Sequence, residues 1–457
     1  MSNQSKYPTS LFSSNLTFAG DGENGGVLAI AGCSGEKLVR EFGSPLFVID
    51  QADFFLRAKS WRQALDTSFG GGQLYYAAKS FICVEVAKWL KELKLGLDVC
   101  SAGELAVALA ANFPASDIEF HGNNKSEGEI TTAIKAGVGT IVIDSFDEIT
   151  RVADIAKSLN KTQKVYLRLT PGVDAHTHEF ISTAHEDVKF GFSIASGAAN
   201  EAIEKCMEQS SLNLAGIHCH IGSQIFEVEG FKIAAQRLVA VLTTFRDKYS
   251  KELAELNIGG GYGIAYTKDE SGISPDVVIP AIASVIKDEC AKAKLAVPRI
   301  SIEPGRAIVG PTTTTLYLVG TTKSVKLDNG SERRYISVDG GMSENIRPAL
   351  YGAVYSAFLA NRSSTAELIS SRVVGKHCET GDILISEINL PSDIKAGDLL
   401  AIPATGAYGR SMASNYNHIS RPAVITVING SARVILRREN EQDLLNLDVD
   451  QPPRQIS

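Results

Sequence analysis

The sequence predicts a (β/α)8 barrel followed by a mostly β domain. Three observations lead there. Between about residues 45 and 310, eight short runs rich in β-branched residues alternate with helical stretches. Each run closes on polar residues or glycines, as strands do when a mouth is built at their C-terminal ends. After residue 310 the alternation stops and strand-like runs follow one another.

An extra strand, SPLFVID (44–50), and the helix ADFFLRAKSWRQALD lead into the barrel. The first barrel strand, QLYYAAK (73–79), alternates, so Tyr75, Ala77 and Lys79 share a face. LGLDVCS (95–101) brings Asp98 and Ser101, DIEFHGN (117–123) brings His121 and Asn123, and TIVIDS (140–145) brings Asp144. KVYLRLT (164–170) carries Arg168, and LAGIHCHIG (214–222) sets His218 and His220 on one face with Ser223 just beyond. ELNIGGG (255–261) ends in Gly259, Gly260 and Gly261, and RISIEPG (299–305) sets Ser301 and Glu303 opposite Ile300 and Ile302. Helical patterns such as VEVAKWLKELK and GELAVALAANF separate the strands. Runs such as RRYISVDG, RVVGKHC and AVITVING then build a sandwich- or barrel-like β domain with one helical interruption near 345–360. The expected domains are 45–310 for the barrel, and 1–44 with 311–457 for the β part, which the strand-like pieces SNLTFAG and GGVLAIAG should join. The polar tail from about 440 is expected to fray.

Composition narrows the function. The 457 residues suffice for two or three domains, and 44% hydrophobic with 21% charged residues is ordinary for a soluble globular protein. A net charge of −7 without a long basic run argues against nucleic acid and anionic membrane as partners. No apolar run reaches membrane-spanning length, and the N-terminus has the pattern of neither a secretory signal nor a transit peptide. Seven scattered cysteines without CxxC pairs suggest a reducing cytoplasm rather than a disulfide framework or zinc site. His176, His178 and His185 lie between strands five and six without ordered carboxylate spacing, so no metal is expected there.

The chemistry lies in the strand ends. An ammonium closing an apolar strand is costly unless neutralised, paired or used covalently, although a lone lysine can snorkel to solvent. Gly259-Gly260-Gly261-Tyr-Gly263 lets backbone N–H groups approach an anion. Such a triplet alone could be a tight turn, but its place after strand seven, with Arg306 after strand eight, matches the usual phosphate site of barrels. Lysine, acid and phosphate site together suggest pyridoxal phosphate, whose aldehyde needs an amine and whose ring nitrogen needs an acidic partner. Glu303 is the natural partner. Arg347 and Tyr351, four residues apart, can present a fork and a hydroxyl to one carboxylate. Cys378, beside Glu379 and Asp382 in a glycine-containing loop, is set apart from a buried structural cysteine.

These motifs resemble the fold type III pyridoxal-phosphate decarboxylases, and within them the meso-diaminopimelate decarboxylases. The matching segments are YAAK (76–79), HGNNKS (121–126), KFGFS (189–193), HCHIGSQ (218–224), GGGYG (259–263) and EPGR (303–306). Downstream come VDGGM (338–342), RPALYG (347–352), CETGD (378–382), GAYG (406–409) and SNYN (414–417). The resemblance implies that Lys79 carries the cofactor as a Schiff base, His220 stacks on its ring and Glu303 pairs with the ring nitrogen. Ser223, Gly259 to Gly261, Gly305, Arg306 and Tyr408 would hold the cofactor, chiefly its phosphate. Arg306, Arg347, Tyr351 and Tyr408 would bind the substrate, and Glu379 would read its distal amino group. Cys378 and Glu379 would come from the partner subunit of a homodimer, with Cys378 as proton donor. Thr380 stands where the family usually has serine, and Ser80-Phe81 where it often has Ala-Asn.

The implied reaction is decarboxylation of meso-diaminopimelate to L-lysine and CO2, the last step of lysine biosynthesis. The alternative is a decarboxylase of the same fold for ornithine, lysine, arginine or carboxynorspermidine. Diamine-forming substrates lack a distal carboxylate for Arg347. A non-catalytic homologue should have lost Lys79 or Cys378, and both are present.

Overall fold

Eight parallel strands close on themselves. In chain order they are Gln73–Ala77, Gly96–Val99, Ile118–Phe120, Thr140–Ile143, Gln163–Thr170, Leu212–Cys219, Glu255–Asn257 and Arg299–Ile302. Neighbours in sequence are neighbours in the ring, and Arg299–Ile302 pairs back onto Gln73–Ala77. This (β/α)8 barrel belongs to a computed structural model that describes residues 11–22, 25–173 and 189–449. Strands such as Gly96–Val99 and Thr140–Ile143 are buried at every position, because the barrel interior covers one face and helices the other. The covering helices include Val84–Glu92, Glu127–Ala136, Phe146–Ser158, Val228–Tyr249 and Pro275–Ala293.

Three consecutive strand-to-helix turns use one device. Ser101, Ser126 and Ser145 cap helices by accepting from the backbone N–H of Glu104, Glu129 and Glu148 respectively. Each glutamate reaches back to a backbone N–H, that of Cys100, Ser126 or Asp144. A cap of this kind contributes about 1 kcal/mol. It also fixes the C-terminal strand ends, where the polar residues stand. At the opposite end, Tyr166 and Lys164 hold Glu255, an arrangement that serves stability.

The chain divides into two compact units. One holds residues 55–264 and 271–308, which form the barrel; the other holds residues up to 54, 265–270 and from 309 on. The second unit is mostly β. Its main sheet runs Ile383–Pro391, Leu368–Val374, Glu332–Val338, Thr313–Lys326, Leu46–Asp50, Ala423–Ile428 and Ser431–Leu436. Gly25–Ile30 pairs with Leu16–Gly22 and with Asn361–Ser363, which ties the N-terminal strands to this unit.

Two expectations are corrected here. Leu46–Asp50 precedes the barrel in the chain but does not belong to its domain; it is a central strand of the β unit, antiparallel to Thr313–Lys326 and parallel to Ala423–Ile428. All five of its residues are buried, and a fully apolar run looks the same in either setting. The tail is not irregular from its start: Glu441–Leu445 is helical, started by a reciprocal cap between Asn440 and Asp443 and braced by an Arg437–Asp443 ion pair, while residues 450–457 lie outside the described residues.

Candidate active site

Lys79 is not the last residue of its strand. The strand ends at Ala77, and Lys79 stands exposed in a 3-10 turn over Ala78–Ser80. Alternation therefore does not aim it; the turn does. Ser80 Oγ donates to Ala77 O at 2.8 Å, and Tyr76 OH donates to Phe81 O at 2.8 Å. Ser80 and Phe81 thus brace the lysine's backbone. A Cβ on Gly305 would lie 2.8 Å from Ala77 Cβ and 2.9 Å from Ser80 Oγ, so the turn after Glu303 packs directly against the turn that carries Lys79.

Beside this turn lies a buried polar cluster. Asp98, Glu119, His121, His218, Asn257 and Glu303 are all buried. Glu303 Oε1 lies 3.0 Å from His218 Nε2 and 3.3 Å from His121 Nε2, and it accepts from Asn257 Nδ2 at 2.8 Å. Asn257 also donates to Glu119 at 2.7 Å, and its Oδ1 accepts from Gly259 N at 2.8 Å. Burial alone would raise the Glu303 carboxyl, but the imidazoles of His218 and His121 hold it well below the usual carboxylate range. Burial pushes His218 down to about 4. Burial, together with the cations Lys79 and Arg168, keeps half-buried His220 neutral, and its Nδ1 faces Gly260 N at 3.4 Å.

An anion cradle adjoins the cluster. Cβ atoms on Gly259, Gly260 and Gly261 would meet the carbonyl oxygens of Cys219, Glu303 and Gly222 at 2.2, 2.2 and 2.3 Å. Gly259 and Gly261 also have positive φ, 71° and 106°. Only glycines let this segment come so close to its neighbours. Arg306 Nη2 donates to Ser223 Oγ at 2.8 Å, which joins the two residues expected to hold a phosphate.

The β unit carries two further groups. Arg347 is buried, with its guanidinium carbon 4.4 Å from the Tyr266 ring centroid and 5.5 Å from that of Tyr355. Its Nη1 donates to Tyr355 OH. The hydroxyl beside Arg347 is thus eight residues on rather than four, and Tyr351 is 64% exposed. Tyr408 holds a left-handed backbone, φ 62°, which is uncommon for a non-glycine residue and marks a constrained position.

The second group is the Cys378 loop. Asp382 accepts from His377 N at 2.8 Å and Met342 N at 2.6 Å, and its Oδ2 lies 2.8 Å from His377 Nδ1. The His377 ring stacks on Tyr416, with centroids 5.7 Å apart. Cys378 N donates to Asn417 Oδ1 at 3.0 Å, and Tyr416 OH donates to Glu379 at 3.4 Å. Cys378 and Glu379 are both exposed on this clasped loop.

Sequence reasoning passed over Glu119, Asn257, Tyr266 and Tyr355. The available signal was an acid or amide inside a short, otherwise buried strand, as in Ile118–Phe120 and Glu255–Asn257. His176, His178 and His185 lie outside the described residues.

The residues fit pyridoxal phosphate. Asp98 Oδ1, Glu119 Oε1, His121 Nε2 and both His218 nitrogens are buried without a geometrically sound hydrogen-bond partner among the described residues, so the cluster has polar capacity left. The glycine cradle and the Arg306–Ser223 pair suit its phosphate, and an ionised Glu303 suits its ring nitrogen. Ligand atoms of His121, His218 and Glu303 lie within 4.8 Å of one another, a spacing that would admit a cation. With Asn257 on Glu303 and further carboxylates facing His121, the geometry is that of an acid held between two imidazoles.

Known proteins share this architecture. Residues 51–310 match the family "Pyridoxal-dependent decarboxylase, pyridoxal binding domain". The diaminopimelate decarboxylase of Mycobacterium tuberculosis is 50% identical over 428 residues, 93% of this chain and 95% of that protein. That of Bacillus subtilis is 45% identical over 424 residues, with the same coverage. The crystal structure of diaminopimelate decarboxylase from M. jannaschii in complex with L-lysine aligns with a TM-score of 0.88 at 30% identity, covering 97% of this chain and 99% of that one.

Proposed function

The chain belongs to the diaminopimelate decarboxylase family of pyridoxal-dependent decarboxylases, and we propose that the residues above remove the α-carboxylate of meso-diaminopimelate to give L-lysine and CO2. The observation that carries this reading is Glu303, a buried carboxylate held ionised beside a glycine cradle and the turn of Lys79. Pyridoxal phosphate, when bound, supplies the electron sink for the departing carboxylate.

The chain's own groups do the rest. Lys79 offers the attaching amine, and Glu303 accepts the ring N–H. Neutral His220 presents a ring face, which an imidazolium would do at higher desolvation cost. Ser223, Arg306, the glycines and Tyr408 hold the phosphate. Glu379 binds the distal ammonium, and Cys378 delivers a proton to Cα. Arg347 grips the distal carboxylate, its guanidinium plane fixed by the Tyr266 and Tyr355 rings, and exposed Tyr351 adds its hydroxyl from outside that group. We place the enzyme in the cytoplasm as a homodimer. All seven cysteines are free, and Leu350, Tyr351 and Val354 form an exposed apolar stretch suited to a second copy. No helix among the described residues is long and apolar enough to cross a membrane.

CO2 release from a panel of amino acids with added pyridoxal phosphate tests the substrate. Diaminopimelate should lead; faster release from ornithine, lysine or arginine would replace the assignment. Arg347→Ala removes a charge-assisted contact that costs on the order of 2–4 kcal/mol to lose. It should lower kcat/KM for diaminopimelate roughly 30- to 1,000-fold. Equal kcat/KM in variant and wild type would remove Arg347 from substrate binding.

A further inference from the structure

The buried cluster poses a charge problem that these roles leave open. Asp98, Glu119 and Glu303 are all buried, and their carboxylates lie 3.7, 3.5 and 3.3 Å from one atom, His121 Nε2. Three buried carboxylates this close cannot all be ionised without a cation among them. Asn257 carries no charge, and His218, which also holds Glu303 down, is itself pushed by burial down to about 4. Lys79 and Arg168 also act on Asp98. The group facing all three acids is His121.

We infer that His121 is a buried cation that keeps Glu303 an anion, and so decides on which side the proton between Glu303 and the cofactor's ring nitrogen rests. This rests on the reading of Glu303 as that nitrogen's partner. The groups facing His121 come from every neighbouring strand. Asp98 belongs to Gly96–Val99, Glu119 to its own strand, and His218 to Leu212–Cys219; Asp144 follows Thr140–Ile143 and Glu303 follows Arg299–Ile302. Burial opposes the charge, yet Asp98 and Glu303 with the Glu119 contact push His121 up to about 10. Burial raises the carboxyls of both Asp98 and Glu119, the latter to about 7, while Glu303 is held low.

The consequence is electrostatic. With a cation behind Glu303, an anionic carboxylate facing a protonated ring is the favoured arrangement. Without it, a neutral acid facing an unprotonated ring avoids two buried charges, and the ring loses its pull on electrons. His121 is then a positioning residue that works through Glu303.

The test reads the ring nitrogen itself. Enzyme is reconstituted with pyridoxal phosphate labelled with 15N in the ring and examined by solid-state NMR. Wild type should show a protonated nitrogen, and Glu303→Gln an unprotonated one. His121→Gln should also lose the proton, with kcat down roughly 10- to 100-fold, the scale at which outer-shell partners matter, and KM little changed. His121→Lys, which keeps a cation, should keep the proton. A protonated ring in His121→Gln, alongside an unprotonated one in Glu303→Gln, overturns the inference and leaves the role of Glu303 standing. A protonated ring in Glu303→Gln overturns both. Wild-type enzyme with 15N-histidine decides the matter should a variant not fold. Both His121 nitrogens should carry protons at about pH 8, well above the ordinary histidine range, and a neutral ring there ends the proposal.

Discussion

Lys79→Ala should leave a folded protein with no covalently held cofactor and almost no turnover. Wild-type enzyme should show the absorption band of a lysine-bound pyridoxal phosphate, and borohydride should fix the adduct to Lys79. In the variant the band should be absent and kcat should fall by roughly 10³-fold or more, the scale for losing a covalent catalytic group. Folding should be spared, because Lys79 is exposed and the turn around it is held by others. Ser80 and Tyr76 tie that turn to its own backbone, and Gly305 packs against it. Surface substitutions of this kind stay within about 0.5 kcal/mol. Circular dichroism and thermal melting of the apo form should match wild type. An adduct on a different lysine, or an undiminished band in the variant, would move the attachment site elsewhere.

What the sequence made legible follows from what each residue's neighbours demand. All eight barrel strands were readable because each is a short apolar run bounded by helices, and because polar groups collect at one end of every run. Lys79 was found through its chemistry, but not its conformation. Alternation gives facing only while a strand lasts, and this one stops two residues earlier. Leu46–Asp50 was misplaced since a strand buried on both faces carries no mark of its sheet. Glu119 and Asn257 were missed for a related reason. Asn257 meets Glu119 and Glu303 from a different strand, and only barrel closure brings these three together with His121. Likewise the spacing of Arg347 and Tyr351 suits a continuous helix, whereas the helix here ends at Tyr351 itself and the chain beyond it returns Tyr355 to the guanidinium. Local patterns were legible; contacts between distant segments were not.

Mixing two dead enzymes should restore activity, if the active site is shared between subunits as the family resemblance implies. Cys378→Ala alone should be nearly inactive, since the proton for Cα then lacks its donor; a loss of roughly 10²- to 10⁴-fold is usual for a general acid. The loop itself should survive, because Asp382, His377 and Asn417 hold its backbone and the Cys378 side chain is exposed. Cys378 belongs to no barrel strand and lies in the β unit, while Lys79 stands on the barrel. If one subunit's Cys378 serves the other's Lys79, a heterodimer of Lys79→Ala and Cys378→Ala chains contains one site with both groups and one with neither. Random exchange makes half of the dimers mixed, each with one good site of two, so about a quarter of wild-type activity should return. Exchange is to be shown independently, for instance with two affinity tags. Recovery near that level, absent from either variant alone, is the signature of catalysis in trans. Demonstrated exchange without recovery would instead mean that Cys378 serves its own chain's lysine or takes no part in the reaction.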